Sequence, residues 1–126
     1  MYIYAAQPAK VIDGDTLDVI TDLGFHIHIQ QRIRLRGINC PEHGSPEGDA
    51  ATAYTKAWIA EHGPDLVLHT ELDKTEKFGR ILGTVSADAR TLNDDLVTNG
   101  HAVPYDGGRR TLPAQPGERD PNLPVA

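Results

Sequence analysis

Three short polar clusters contain the residue types that do chemistry: Asp13-Gly14-Asp15-Thr16, then Arg34-Leu35-Arg36-Gly37-Ile38-Asn39-Cys40-Pro41-Glu42, then Glu76-Lys77-Phe78-Gly79-Arg80. Carboxylates and carbonyl-type oxygens are hard ligands that suit a cation such as Ca²⁺. A further carboxylate can orient or deprotonate a water, and planar guanidinium groups bind two phosphate oxygens at once while staying charged at any working pH. Hydrolysis of a phosphodiester needs these parts: a nucleophilic water, a group to take its proton, and cations over the phosphoryl oxygens. Asp15, Glu42, Arg34 and Arg80 are of those types. Taken singly they are bland, since Asp-Gly-Asp marks a turn, arginines on a polar strand face are solvated, and Pro41-Glu42 says only that the chain bends.

The elements that must position these residues follow from hydrophobic periodicity. From Ala9 to about Leu35 the pattern is strand-like. Phe25, Ile27, Ile29, Ile33 and Leu35 alternate with His26, His28, Gln30, Arg32 and Arg34, which predicts a core face and a polar face carrying the arginines. Lys10 to Ile20 reads as a preceding strand, with Thr21-Asp22-Leu23-Gly24 as the hairpin turn. Ser45-Pro46-Glu47 opens a helix with a hydroxyl cap, an early proline and a first-turn carboxylate, and Gly63-Pro64 closes it. Ala50, Tyr54, Ala57 and Trp58 are expected to form its inward stripe. Leu66–Glu71 and Arg80–Ser86 read as strands, and Leu92–Gly100 as a short helix that Asn93 would cap. His26 and His28 lack a third ligand nearby and read as a solvated pair.

The expected order is three strands, helix, two strands, helix and tail, a mainly β chain with helices (α+β). It is the order of a five-stranded oligonucleotide/oligosaccharide-binding (OB-fold) Greek-key barrel with two to three helices. Residues 1–110 form the single expected domain, and 111–126, with Pro113, Pro116, Pro121 and Pro124, form a Pro-rich tail. The single Cys40 excludes an intrachain disulfide framework and a thiolate zinc site. No run is long enough to span a bilayer, and Met1-Tyr2-Ile3-Tyr4 shows no basic segment leading into an apolar stretch.

In their order and spacing the three clusters resemble the staphylococcal nuclease (thermonuclease) family, over roughly Lys10 to Tyr105. Val11-Ile12-Asp13-Gly14-Asp15-Thr16 is similar to the family's first-strand signature, Arg34 through Glu42 to its Arg-to-Pro-Glu segment, and Phe78-Gly79-Arg80 to its aromatic-Gly-Arg element. The resemblance implies a calcium-dependent nuclease acting on DNA and RNA and leaving 3′-phosphates. In it Asp15, the Asn39 side-chain oxygen and the Cys40 backbone carbonyl hold Ca²⁺, Glu42 is the general base, and Arg34 and Arg80 bind the phosphate. Lys77 and Tyr105 are weaker substrate-binding candidates. The implied partners are nucleic acids, with no membrane and no obligate protein partner, and the chain is expected to act as a monomer.

The chain departs from the family pattern at Asn39, where the family usually has Asp; an amide offers an oxygen without its charge and predicts weaker calcium binding. Degenerate members of the family bind nucleic acid or protein without cutting, and that is the competing reading. Possession of Asp15, Glu42 and both arginines favours catalysis. Lys plus Arg number 12 against 18 for Asp plus Glu, a net charge of −6 that on its face disfavours a polyanion partner. The first 36 residues are balanced, however, with four basic and four acidic groups, so the excess lies elsewhere. Arg32, Arg34, Arg36, Lys74, Lys77 and Arg80 are expected to give a local positive field, with weak binding in the absence of calcium.

Overall fold

The computed structural model describes residues 2–75 and 81–105. In chain order the elements are β1 (Tyr2–Asp13), β2 (Thr16–Asp22), β3 (His28–Leu35), β4 (Ile38–Asn39), α1 (Pro46–His62), β5 (Leu66–Thr75), β6 (Ile81–Ala87), β7 (Arg90–Thr91), α2 (Leu92–Thr98) and β8 (Val103–Pro104). Strands β3-β2-β1-β5-β6 are hydrogen-bonded in that order, and a parallel pairing of β3 with β6 joins the two ends. The result is a closed five-stranded mixed barrel with two helices, the expected α+β OB-like architecture.

Closure depends on Gly83. Ile33, Leu35 and their partners Ile81 and Gly83 bring two sheet edges together, and a Cβ on Gly83 would stand 2.8 Å from Leu68 Cδ1 and 3.3 Å from Ile33 Cγ2. The barrel interior is filled by Leu17, Val19, Ile33, Leu35, Leu66, Leu68 and Val85, and Trp58, Leu92 and Leu96 from the helices continue the same core. Truncating one of the fully buried leucines to alanine costs about 2–5 kcal/mol in such packing.

The local signals place α1 where the sequence predicts it. Ser45 Oγ accepts from Gly48 N at 2.9 Å, Pro46 and Glu47 lie in the first turn, and Gly63 N donates to Ile59 O at 2.7 Å. Its inward face differs from the expected stripe. Ala50 and Ala57 are exposed and Tyr54 is half-buried, while Gly48, Ala51, Thr52, Thr55, Trp58 and Ile59 face the core. The two threonines turn inward because their hydroxyls find carbonyls: Thr52 Oγ1 donates to Gly48 O at 3.0 Å and Thr55 Oγ1 to Gly14 O at 2.7 Å.

Three further expectations are corrected. The hairpin turn lies at Leu23–Ile27, held by Leu23 N to Ile27 O at 2.8 Å and Ile27 N to Gly24 O at 2.9 Å, with Phe25 and His26 at positive φ. Phe25 is 94% exposed, and Ile27 and Ile29 are exposed as well, so of the predicted apolar face only Ile33 and Leu35 enter the core. Those two sit where β6 closes the barrel; the hairpin tip runs past it. The cap of α2 is Thr91, whose side chain accepts from Asp94 N, rather than Asn93. Asn93 is instead buried between strands, accepting from Val85 N at 3.2 Å and donating to Arg36 O at 2.9 Å and Gly83 O at 3.2 Å.

Candidate active site

The site begins at the tight β1–β2 turn. Gly14 is required there by close approach, since a Cβ would lie 2.8 Å from Ala51 Cβ and 2.9 Å from Cys40 Sγ. With its carbonyl held by Thr55 and Asp15 N donating to Asp13 Oδ1 at 3.2 Å, the turn is pinned against α1. Asp15 O in turn accepts from Leu35 N at 2.8 Å, which fixes the turn beside the end of β3.

Asp15 is buried, 7% exposed, yet its carboxylate is well supplied with donors. Oδ1 accepts from Thr16 Oγ1 at 3.2 Å, and Oδ2 accepts from Cys40 N at 2.9 Å and lies 3.4 Å from Arg34 Nη2. The same Nη2 donates to Asn39 Oδ1 at 3.1 Å, and Nη1 donates to Leu35 O at 2.8 Å. Four expected site residues, Asp15, Arg34, Asn39 and Cys40, thus meet at one end of the barrel. The short β4–β8 ladder, in which Asn39 faces Val103, holds the segment that carries Asn39 and Cys40.

Glu42 lies two residues beyond Cys40 with its side chain exposed and no hydrogen bond to any described residue. Its backbone is anchored: Glu42 O accepts from Ser45 Oγ at 2.8 Å and from Ser45 N at 3.3 Å, against the start of α1. Gly48 permits this approach, because a Cβ there would run into the Glu42 carbonyl. Tyr105 is half-buried at the exit of β8, its N–H donating to Gly37 O at 2.8 Å, which sets it beside the turn that follows β3. Lys77 and Arg80, like the tail at 111–126, lie outside the described residues.

Electrostatically the site holds two close carboxylates. Burial, reinforced by the hydrogen bond and negative charge of Asp15, raises the pKa of Asp13 to about 6. Burial and the Asp15 charge push the Cys40 thiol up to about 12, so it is a neutral packing group rather than a nucleophile. Arg32 is spent on Asp18, with Nε to Oδ1 at 2.8 Å, which removes one member of the expected positive field.

The staphylococcal nuclease homologue family model matches residues 32–116. The chain belongs to the staphylococcal nuclease homologue family. That matched span begins at Arg32, so the Asp13–Thr16 turn is joined to the family segment by the bonds of Asp15 to Cys40 and Arg34. No individual curated protein matches the chain. For this nuclease homologue, sequence reading missed two supporting residues. Asn93 ties β6 to the residue after β3, and Gly48 seats Glu42; only the Asn93-Asp94-Asp95 run drew notice, as a helix start.

Among the described residues no three His, Cys, Asp or Glu side chains gather as a metal cluster. The oxygens brought together here are the Asp15 carboxylate and the Asn39 amide oxygen, with the Asp13 carboxylate adjacent; Cys40, whose carbonyl is the third expected donor, is tied to Asp15 through its N–H. All are hard oxygen ligands. That donor set fits a calcium-type cation.

Proposed function

We propose that this family member is a calcium-dependent nuclease that hydrolyses phosphodiester bonds of DNA and RNA with little sequence preference and leaves 3′-phosphates. The observation that carries the reading is the meeting of Asp15, Arg34 and Asn39 within hydrogen-bonding reach, with Glu42 seated nearby on an anchored backbone.

Asp15, the Asn39 side-chain oxygen and the Cys40 carbonyl would hold Ca²⁺, which takes roughly six to eight oxygens. When bound it supplies Lewis-acid polarisation of a phosphoryl oxygen. The chain's own groups do the rest. Glu42, exposed and free to meet a water, orients it and takes its proton. Arg34 binds phosphate oxygens through its planar fork, joined by Arg80, and one of the two stabilises charge on the departing 5′ oxygen. Lys77 and Tyr105 add contacts to the strand. The chain acts as a monomer, with nucleic acid as its only required partner.

Digestion of single-stranded DNA, duplex DNA and RNA, with CaCl₂ and again with chelator, tests the proposal. Cleavage that disappears with chelator and leaves 3′-phosphate ends is expected. No cleavage of any substrate would support the non-catalytic binding module, a reading favoured by the neutral amide at Asn39.

A further inference from the structure

One nitrogen occupies a position that bears on how the site works. Arg34 Nη2 stands 3.1 Å from Asn39 Oδ1 and 3.4 Å from Asp15 Oδ2, between the two side chains proposed above as cation ligands. A calcium ion would sit about 2.3–2.6 Å from such oxygens. Two positive centres bound to the same pair of oxygens repel each other strongly here, because the Arg34 and Asp15 side chains are only 12% and 11% exposed and solvent screens them little.

We infer that Arg34 is the resident cation of the metal-free site, and that a divalent cation binds by displacing its guanidinium from the Asp15–Asn39 bridge, turning the arginine toward phosphate. The inference rests on the calcium reading of the site and deepens it.

The other donors to Asp15 cannot make this exchange. Cys40 N is fixed by the backbone and Thr16 Oγ1 by a short side chain, and both are neutral. Among the described residues Arg34 is the one donor to Asp15 on a long side chain, and its other bond, Nη1 to Leu35 O, is local. Asn39 holds the guanidinium by a neutral acceptor, a weaker hold than a second carboxylate would give it. The guanidinium proposed to bind phosphate is thereby held on the oxygens proposed to bind the metal.

The test is calorimetric titration of the full chain with CaCl₂ alone, without nucleotide, for the wild type, R34Q and R32Q. R32Q removes a charge from the same strand while leaving the bridge intact. R34Q is expected to bind calcium roughly tenfold or more tightly than wild type, the size of an ordinary coupling between sites. R32Q is expected to stay within about twofold, because the Arg32 side chain is half exposed and paired with Asp18 rather than with the Asp15–Asn39 oxygens.

Because loss of Arg34 can also weaken the fold, a second measurement uses the wild type. The ¹⁵N side-chain resonance of Arg34 should shift on addition of CaCl₂ alone. Calcium binding that R34Q leaves unchanged or weakens, or an equal gain in R32Q, overturns the inference while leaving the nuclease proposal intact. An Arg34 resonance indifferent to bound calcium does the same. No calcium binding by any of the three proteins overturns both. Tightened binding in R34Q, alongside a wild type that cuts no substrate, sustains the exchange and sinks the nuclease reading.

Discussion

Cys40 N donates to Asp15 Oδ2 across 2.9 Å, tying together two turns that lie 25 residues apart in sequence. With the Thr16 hydroxyl and Arg34 also directed at it, the Asp15 carboxylate is surrounded by donors. In Asp15→Asn, the amide nitrogen must face one of them, donor against donor. The variant is expected to fold with stability lowered by about 1–3 kcal/mol, and to lose cleavage by roughly a hundredfold or more. Urea unfolding and steady-state cleavage measure the two losses; full activity would remove Asp15 from the site.

Glu42 shows the opposite balance. Its side chain is exposed and bonds to no described residue, so Glu42→Gln should leave the unfolding midpoint unchanged. Cleavage should fall by roughly 10²–10⁴, the usual contribution of a positioned base. Similar Tm with near-normal kcat would transfer the proton-accepting role elsewhere.

Gly48 separates position from chemistry. A methyl at this residue meets the Glu42 carbonyl, so Gly48→Ala must push the Pro41-Glu42 segment off the start of α1. A stability loss of about 1–3 kcal/mol is expected from the overpacking, together with a fall in kcat although no reacting group has changed. Stability loss with kcat intact would show that the Glu42 backbone need not be anchored.

These residues also mark what could be read beforehand. Both helices and the polar clusters were legible because each rests on local signals: alternation near Ile33 and Leu35, the Ser45-Pro46 cap, the Gly63-Pro64 stop; the single strand expected over Lys10–Ile20 is instead two, β1 and β2, parted by the turn at Gly14-Asp15. The convergence of Asp15, Arg34, Asn39 and Cys40 was legible only through resemblance, since contacts across 25 residues leave no periodic trace. Alternation failed at Phe25 and Ile27 because they belong to the hairpin turn, and at Ile29 because β3 keeps its period beyond the place where the barrel covers it. Inward threonines on α1 were hidden for a related reason: their carbonyl partners belong partly to another element. Asn93 looked like a cap by residue type, but Thr91 already serves α2, leaving the amide to satisfy strand groups.

Asp95 gives a pH-dependent test of the core away from the site. It accepts from Trp58 Nε1 at 2.8 Å and pairs with Arg90 through bonds of 2.8 and 3.0 Å, and the Arg90 hydrogen bonds hold its pKa below the ordinary 3.8. A lowered folded pKa means the unfolded chain takes up the proton first on acidification. The stabilisation is therefore present above about pH 4 and lost as pH falls through the folded value. Asp95→Asn should be less stable than wild type by about 1–3 kcal/mol at neutral pH. The difference should narrow as the pH falls below 3.8 and through the folded value; a gap that is constant with pH in thermal unfolding would contradict the charge-based account.

Asp13 has the reverse sign. Burial first, and then Asp15, raise its pKa from 3.8 to about 6, so the folded chain holds this proton more firmly than the unfolded one. Its contribution is favourable below pH 3.8 and is lost as pH rises through 6. Asp13→Asn keeps the oxygen that accepts from Asp15 N and stays neutral. The variant should be more stable than wild type at pH 7 and indistinguishable near pH 3.5, as followed by urea midpoints; a variant less stable at pH 7 would show that the ionised carboxylate is needed in the metal-free fold.

Asn39→Asp sets the two cations of the site against each other. A carboxylate at this position strengthens the contact to Arg34 Nη2, now 3.1 Å from an amide oxygen, and it also strengthens any divalent ion bound to the same oxygen. The divalent ion gains more, because the added Coulomb energy scales with the charge it meets. Half-saturation of activity by calcium should therefore fall in the variant, by roughly tenfold for a coupling of 1.4 kcal/mol. Thermal stability without calcium should rise, since Arg34 then bridges two carboxylates. Equal calcium half-saturation in the two proteins would make the charge at this position irrelevant, and lower metal-free stability would mean that Arg34 does not answer to it.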